Sequence, residues 1–161
     1  MIVGSVSILW ANLFSKRNKR TVYSALRQVV LFEDLNKSQL RKIEKRGHIR
    51  KFKDKEIVFY KGDPSYGIYI VLRGQVDVTI HKKVFQSYKP FDFFGEFALV
   101  KGTVRTATTN SVGESTLLYL SEPDLKELFS EDPKMGFSVY EKMLMILSRI
   151  YVEYDNQCLE R

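Results

Sequence analysis

From His48 to Leu120 apolar residues return at about every second position, and no other feature constrains the fold as much. Ile49, Phe52, Ile57, Phe59, Ile68, Ile70 and Leu72 are mostly separated by charged or polar residues. A period of two places alternate side chains on opposite faces of a strand. Turn-forming clusters interrupt the run at Lys53-Asp54-Lys55, Gly62-Asp63-Pro64 and Arg73-Gly74. The pattern predicts strands over about 48–53, 56–61, 67–72, 75–81, 83–88, 104–112 and 115–120. Many short strands at even spacing argue for a sandwich or a jelly roll.

Helical signals flank this body. Residues 21–30 (TVYSALRQVV) read as a short helix, and Leu31, Phe32 and Leu35 follow as apolar anchors. Asn36 is a suitable N-cap for a helix through Arg46, with Leu40 and Ile43 inward and Gly47 as its stop. Ser121 caps a second helix whose apolar face is Leu125, Leu128 and Phe129. Asp132-Pro133 opens a third, with Pro near the first helical position. Its apolar residues Val139, Met143, Ile146, Leu147, Ile150 and Tyr154 recur at three- and four-residue steps.

Composition narrows the function. At 161 residues, 44% of them hydrophobic, the chain holds about one domain with a real core. The single cysteine, Cys158, cannot form an intramolecular disulfide, so a reducing, cytoplasmic compartment is expected. One cysteine and two histidines, His48 and His81, offer no metal site. No nucleophile–histidine pattern stands out, which makes an enzyme the least favoured class. The formal charge of +7 is densest between Lys16 and Lys55. It reads first as a solvated basic face, since no DNA-reading module accompanies it. The first 14 residues carry no charged side chain, and KRNKR follows soon after. That run is shorter than the roughly 20 residues a membrane span needs. Residues 1–20 could instead make weak contact with a membrane surface, or pack on the domain.

The chemistry concentrates in Phe94 to Thr109, FGEFALVKGTVRTATT. Gly95 suits a tight entry into a short helix. The N–H groups of Glu96, Phe97 and Ala98 would then be unpaired at its first turn. Such a turn favours anions. Glu96 accepts hydrogen bonds, and Arg105 can grip a phosphate bidentately. A ligand carrying both a phosphate and sugar hydroxyls would use all three features. Glu96 and Arg105 could also form an ordinary ion pair at a strand end.

The stretch resembles the phosphate-binding cassette of the cyclic nucleotide-binding domains. Phe94-Gly95-Glu96 matches its opening, Ala98-Leu99 its apolar segment, and Arg105-Thr106-Ala107-Thr108 its close. Gly62, Asp63, Tyr69, Ile70, Gly74 and Val76 match a second family pattern upstream. The resemblance implies a mainly β jelly roll (a double-stranded β-helix) with N-terminal helices and a C-terminal lid helix. It implies a ligand, cAMP rather than cGMP, and no cofactor. Glu96 would take the ribose 2′-hydroxyl and Arg105 an equatorial phosphate oxygen. Gly95 and Phe97 belong to the same turn, and the N–H groups of Ala98 and Thr106 would complete the phosphate shell. The Thr106 hydroxyl is also the group that could reach a guanine. Val78 would face the base. Tyr151 and Tyr154 on the C-terminal helix would cover it, and that helix could pair two copies of the chain as a homodimer.

By the same resemblance residues 1–30 form an apolar and basic lead segment with a short helix, 31–156 the binding domain, and 157–161 a tail. Only seven residues follow Tyr154, which leaves no room for a helix-turn-helix module, so direct DNA binding of that kind is not expected. Phe91 stands where the family often has glycine, so the lead-in loop should adopt a backbone that a bulky residue tolerates. Two other readings are a degenerate domain serving as an interaction or membrane-docking module, and the regulatory fragment of a larger channel.

Overall fold

The structure is a computed structural model describing residues 22–80, 83–100 and 102–159, the side chains from 153 onward excepted. Residues 22–26 are helical (α1), and a 3-10 turn, Val30–Phe32, leads into α2, Lys37–Arg46. The strands are β1 His48–Phe52, β2 Ile57–Phe59, β3 Gly67–Ile80, β4 Lys83–Tyr88, β5 Phe93–Phe94 and β6 Thr108–Ser121. A 3-10 turn, Glu96–Leu99, sits between β5 and β6, and α3 Glu122–Glu131 and α4 Pro133–Leu159 close the chain. All described pairings are antiparallel. β6 pairs with β1, β2 and β3, while β3 also carries β4 and β5. This is the flanked β jelly roll that the alternation and the resemblance predict. The expectations for residues 1–20 lie outside the described residues. Among the described residues no helix is long and apolar enough to cross a membrane.

The helix signals act as read. Asn36 accepts from the Gln39 N–H, and the Gln39 side chain accepts from the Asn36 N–H, closing a capping box. Ser121 accepts from the Asp124 N–H, and Asp132 Oδ1 accepts from the Met135 N–H at the start of α4. Gly47 has a different reason from the one expected. Its φ of −77° is ordinary, so no left-handed cap is involved. A Cβ there would stand 2.6 Å from Leu118 Cδ1, so the glycine lets α2 turn closely over β6.

Two expected breaks are not breaks. Residues 67–80 are one strand, and 108–121 another, paired from Gly67–Ser121 to Thr79–Thr108 with register shifts around Arg73. Gly74 has φ +87°, and a Cβ on it would lie 2.5 Å from the Glu114 carbonyl oxygen. It lets β3 bend against residues 113–115 without ending, as glycine does in a bulge. Phe91 also departs from expectation, because it adopts φ +79° despite its side chain. Two backbone hydrogen bonds hold it there: Phe91 N–H donates to Val71 O (2.8 Å) and Val71 N–H donates to Asp92 O (2.9 Å). Tertiary hydrogen bonding overrides the local penalty of that backbone.

The sheet separates two apolar clusters. Ile68, Ile70, Leu118 and Leu120 face Leu26, Phe32, Ile43, Leu125, Leu128, Met135 and Val139 from the helices. The alternate residues Tyr69, Val71 and Leu117 turn the other way, onto Val76 and Phe94. Burial on both faces makes the 67–71 segment uniformly apolar apart from its aromatic hydroxyl.

Candidate functional site

A cleft of about 420 Å³, measured with its mouth, opens beside the second cluster. Its walls include Phe59, Val78, Tyr88, Phe94, Gly95, Glu96, Phe97, Arg105, Thr106 and Ala107. The left-handed Gly95 (φ +78°) turns the chain from β5 into the Glu96–Leu99 turn. A Cβ on Gly95 would collide with Arg105 Nη1, so the glycine also makes room for the guanidinium.

Arg105 is only 6% exposed. Its Nη2 donates to Gly67 O (2.8 Å) and its Nη1 to Gly95 O (3.3 Å). Its Cζ sits 4.1 Å from the Phe59 ring centroid, and Nε has no partner among the described residues. Among the described residues Arg105 forms no ion pair, so the plain Glu96–Arg105 bridge is not what holds it. Burial lowers the guanidinium pKa, and the surrounding Tyr69, Tyr119, Glu96 and Asp63 oppose the shift. A buried charge paired only with carbonyls is costly unless an anion joins it. Aromatic rings wall this pocket: Tyr69 stacks on Phe94 at 5.3 Å, and Phe94 meets Tyr88 at 5.3 Å.

Glu96 is half-buried at the cleft edge. Burial raises its carboxyl pKa, while its own N–H, Arg105 and the Gly95 N–H pull it back. The neighbouring Tyr88 hydroxyl is pushed up to about 12, first by burial and then by Glu96 and Asp92. The expected row of unpaired N–H groups is only partly present. Ala98 N–H donates to Gly95 O (3.0 Å), because a 3-10 turn closes one residue sooner than an α-helix.

The cleft therefore brings together Gly95, Glu96, Phe97, Arg105, Thr106 and Val78. Ala98 lies just beneath, fully buried. Tyr151 is not brought in: it stands 70% exposed on α4 and lines neither this cleft nor the one beside it. The α4 residues that face the body are Met143, Ile146, Leu147 and Ile150, and Tyr151 lies about 100° further round the helix. The Tyr154 side chain lies outside the described residues. Sequence reasoning missed Phe59, Tyr88, Ser65 and Thr109. Thr109 carried a signal, since it falls in step with Arg105 and Ala107 at alternate positions of the strand expected over 104–112, and all three are buried. Ser65, in a loop, carried none.

This chain belongs to the cyclic nucleotide-binding domain family, whose model matches residues 49–132. Such domains occur in cAMP-dependent kinase regulatory subunits, cyclic nucleotide-gated channels and catabolite activator proteins. A cyclic nucleotide-gated channel of Caenorhabditis elegans is 30% identical over 142 residues, covering 83% of this chain and 19% of the channel. The chain spans 19% to 33% of the length of the curated relatives it matches. A cyclic nucleotide-binding domain from Methylobacillus flagellatus KT superposes with a TM-score of 0.74 at 20% identity, over 90% of this chain and 85% of that one. The regulatory domain of Toxoplasma gondii PKA, solved with cAMP, gives 0.64 at 27% identity over 69% of this chain and 44% of that one.

Proposed function

We propose that the domain spanning residues 31–156 is a sensor that binds cAMP, in preference to cGMP, in the Glu96–Arg105 cleft and signals through α4. The carrying observation is Arg105: a buried guanidinium facing a cleft, with a free Nε and no carboxylate partner among the described residues. The cyclic phosphate would dock on Arg105 and the Thr106 N–H, and the ribose hydroxyl on Glu96. Val78 and the aromatic wall would take the base. The Toxoplasma relative solved with cAMP supports the ligand class.

The path to α4 is short. A second cleft of about 670 Å³ separates α4 from β4 and the β5 lead-in, and it shares Tyr88 and Glu96 with the first. The first half of α4 is tied down: Lys142 Nζ pairs with Glu33 (2.6 Å) and Asp34 (2.9 Å), and Val139 and Met143 are buried. Beyond Leu147 the helix carries Ile150, Tyr151 and Val152 exposed, so this half is the part free to close. A ligand moves it only by binding the closed arrangement more tightly. Phe137, Leu144 and Tyr151, all exposed at seven-residue steps, support pairing of two copies along α4.

Calorimetric titration with cAMP and cGMP, with Arg105→Ala alongside, tests the reading. Saturable binding that the variant loses supports it, and the affinity ratio names the ligand. No binding of either nucleotide, with the melting temperature unmoved by them, turns the reading toward a degenerate interaction module.

A further inference from the structure

Two of the cleft's hydroxyls, those of Ser65 and Thr109, are buried and left unused by the phosphate and ribose contacts. Ser65 is 7% exposed and Thr109 fully buried, both line the cleft, and neither side-chain oxygen has a hydrogen-bond partner among the described residues. The buried hydroxyls of Ser111 and Ser115 are handled differently. Ser111 Oγ donates to Gly113 O (2.7 Å) and bonds Ser115 Oγ (2.8 Å), which in turn reaches Gln75 O (2.9 Å). Buried polar atoms are satisfied as a rule. The exceptions are not scattered: of the four such side-chain atoms without a partner among the described residues, Ser65 Oγ, Thr109 Oγ1 and Arg105 Nε face one cleft. The fourth belongs to Glu44, whose other oxygen pairs with Arg41.

The two hydroxyls come from different segments of the cleft wall. Ser65 lies in the loop that runs antiparallel to the Arg105 segment. Its N–H donates to Thr103 O (3.2 Å), Arg105 N–H donates to Asp63 O (2.8 Å), and Gly67 O accepts the guanidinium. Thr109 sits in β6 between Phe59 on β2 and Val78 on β3, its register partners. Valine would fill the space of Thr109 without burying a hydroxyl, and alanine would do nearly so at Ser65.

We propose that Ser65 and Thr109 are ligand-bonding residues of this cleft. The Ser65 hydroxyl donates to the anionic group held by Arg105, and the Thr109 hydroxyl bonds a polar atom of the sugar–base portion lying against Val78. This inference rests on the cyclic-nucleotide reading above. It assigns this chain two selectivity contacts beyond the arginine and the glutamate.

The test is calorimetric titration of the full chain with cAMP for Ser65→Ala, Thr109→Val and Thr109→Ser, with melting temperatures recorded without nucleotide. Each loss of a hydroxyl should weaken cAMP binding about 3- to 10-fold, the worth of one net hydrogen bond. The nucleotide-free melting temperature should stay level or rise, because a buried unpaired hydroxyl has been removed. Thr109→Ser should keep the affinity although its lost methyl lowers the melting temperature. Unchanged affinity in Ser65→Ala and Thr109→Val, with Arg105→Ala abolishing binding, overturns this inference and leaves the sensor reading standing. So does a lowered melting temperature in the hydroxyl-deletion variants, which would mark the hydroxyls as structural. A parent chain that binds no nucleotide overturns both.

Discussion

The same two strands, β3 and β6, build two cores of opposite character. The helix-facing core is aliphatic, with Ile68, Ile70, Leu118 and Leu120 closed under the flanking helices. The inner core is aromatic, with Tyr69 and Phe94 at its centre and Phe59, Tyr88 and Tyr119 packed against it. One is saturated with apolar contact. The other stops short and leaves a charged guanidinium against an open cleft. On the proposed function, stability and recognition fall to opposite faces of one sheet, and the period of two in the sequence is what divides them. A change on one face should therefore leave the other face's property nearly intact.

The largest expected effect breaks the helix-facing side. Leu120→Ala empties a fully buried position and should cost about 2–5 kcal/mol of stability. Denaturant unfolding measures that loss. The cAMP affinity of the folded fraction should stay within about twofold, since the residue lies on the far face from the cleft. Collapse of affinity would mean that the two cores are one cooperative unit. On the inner side, Arg105→Ala should do the reverse. Binding should fall by about 2–4 kcal/mol, as when a buried charge pair loses one member. Its melting temperature should drop less than that of Leu120→Ala.

How legible this division was in the sequence depended on distance along the chain. Asn36, Ser121 and Pro133 act within one helical turn, so their roles could be read directly. Gly95 and Arg105 were legible because their chemistry and spacing stand within a dozen residues. The 14-residue strands were not, because Gly74 reads locally as a turn and works instead against the carbonyl of Glu114. Nor could composition tell that Gly47 faces Leu118. Part of the cleft wall was hidden for the same reason. Phe59 comes beside Thr109, and Thr109 beside Val78, only through pairings across β2, β3 and β6, although the resemblance already points to Val78 itself. Phe91 failed in the other direction: its local preference was readable and was overruled by hydrogen bonds to Val71.

Gly95→Ala sharpens the comparison at the hinge between the two sides. Alanine in that left-handed backbone costs about 1–2 kcal/mol. Its Cβ would also push Arg105 Nη1 from its place. Stability should fall modestly, and cAMP binding should fall further than the strain alone accounts for. Equal losses in both measurements would show that the guanidinium position is immaterial to binding.

The smallest effect is the most specific to the inner face. Burial raises the Glu96 carboxyl pKa in the folded chain, against the opposing pull of nearby N–H groups and Arg105. Between the unfolded and the raised folded value, the folded chain holds more protons than the unfolded one. Its stability therefore falls as pH rises through that window, and the cost is fully present above it. Glu96→Gln has no such proton, so its melting temperature should be flatter across this window. At neutral pH, without nucleotide, it should lie above that of the parent. The parent's affinity for cAMP should begin to weaken on acidification at a pH above the ordinary glutamate range, as the carboxylate proposed to accept the ribose hydroxyl becomes protonated. The glutamine variant should bind roughly five- to tenfold more weakly at neutral pH, the difference between a charged and a neutral acceptor, and lose that pH dependence. A variant less stable than the parent at neutral pH would mean that the carboxylate supports the fold. Glu96 would then belong with the structural face of the sheet, and the division between the two cores would fail at the residue that borders both clefts.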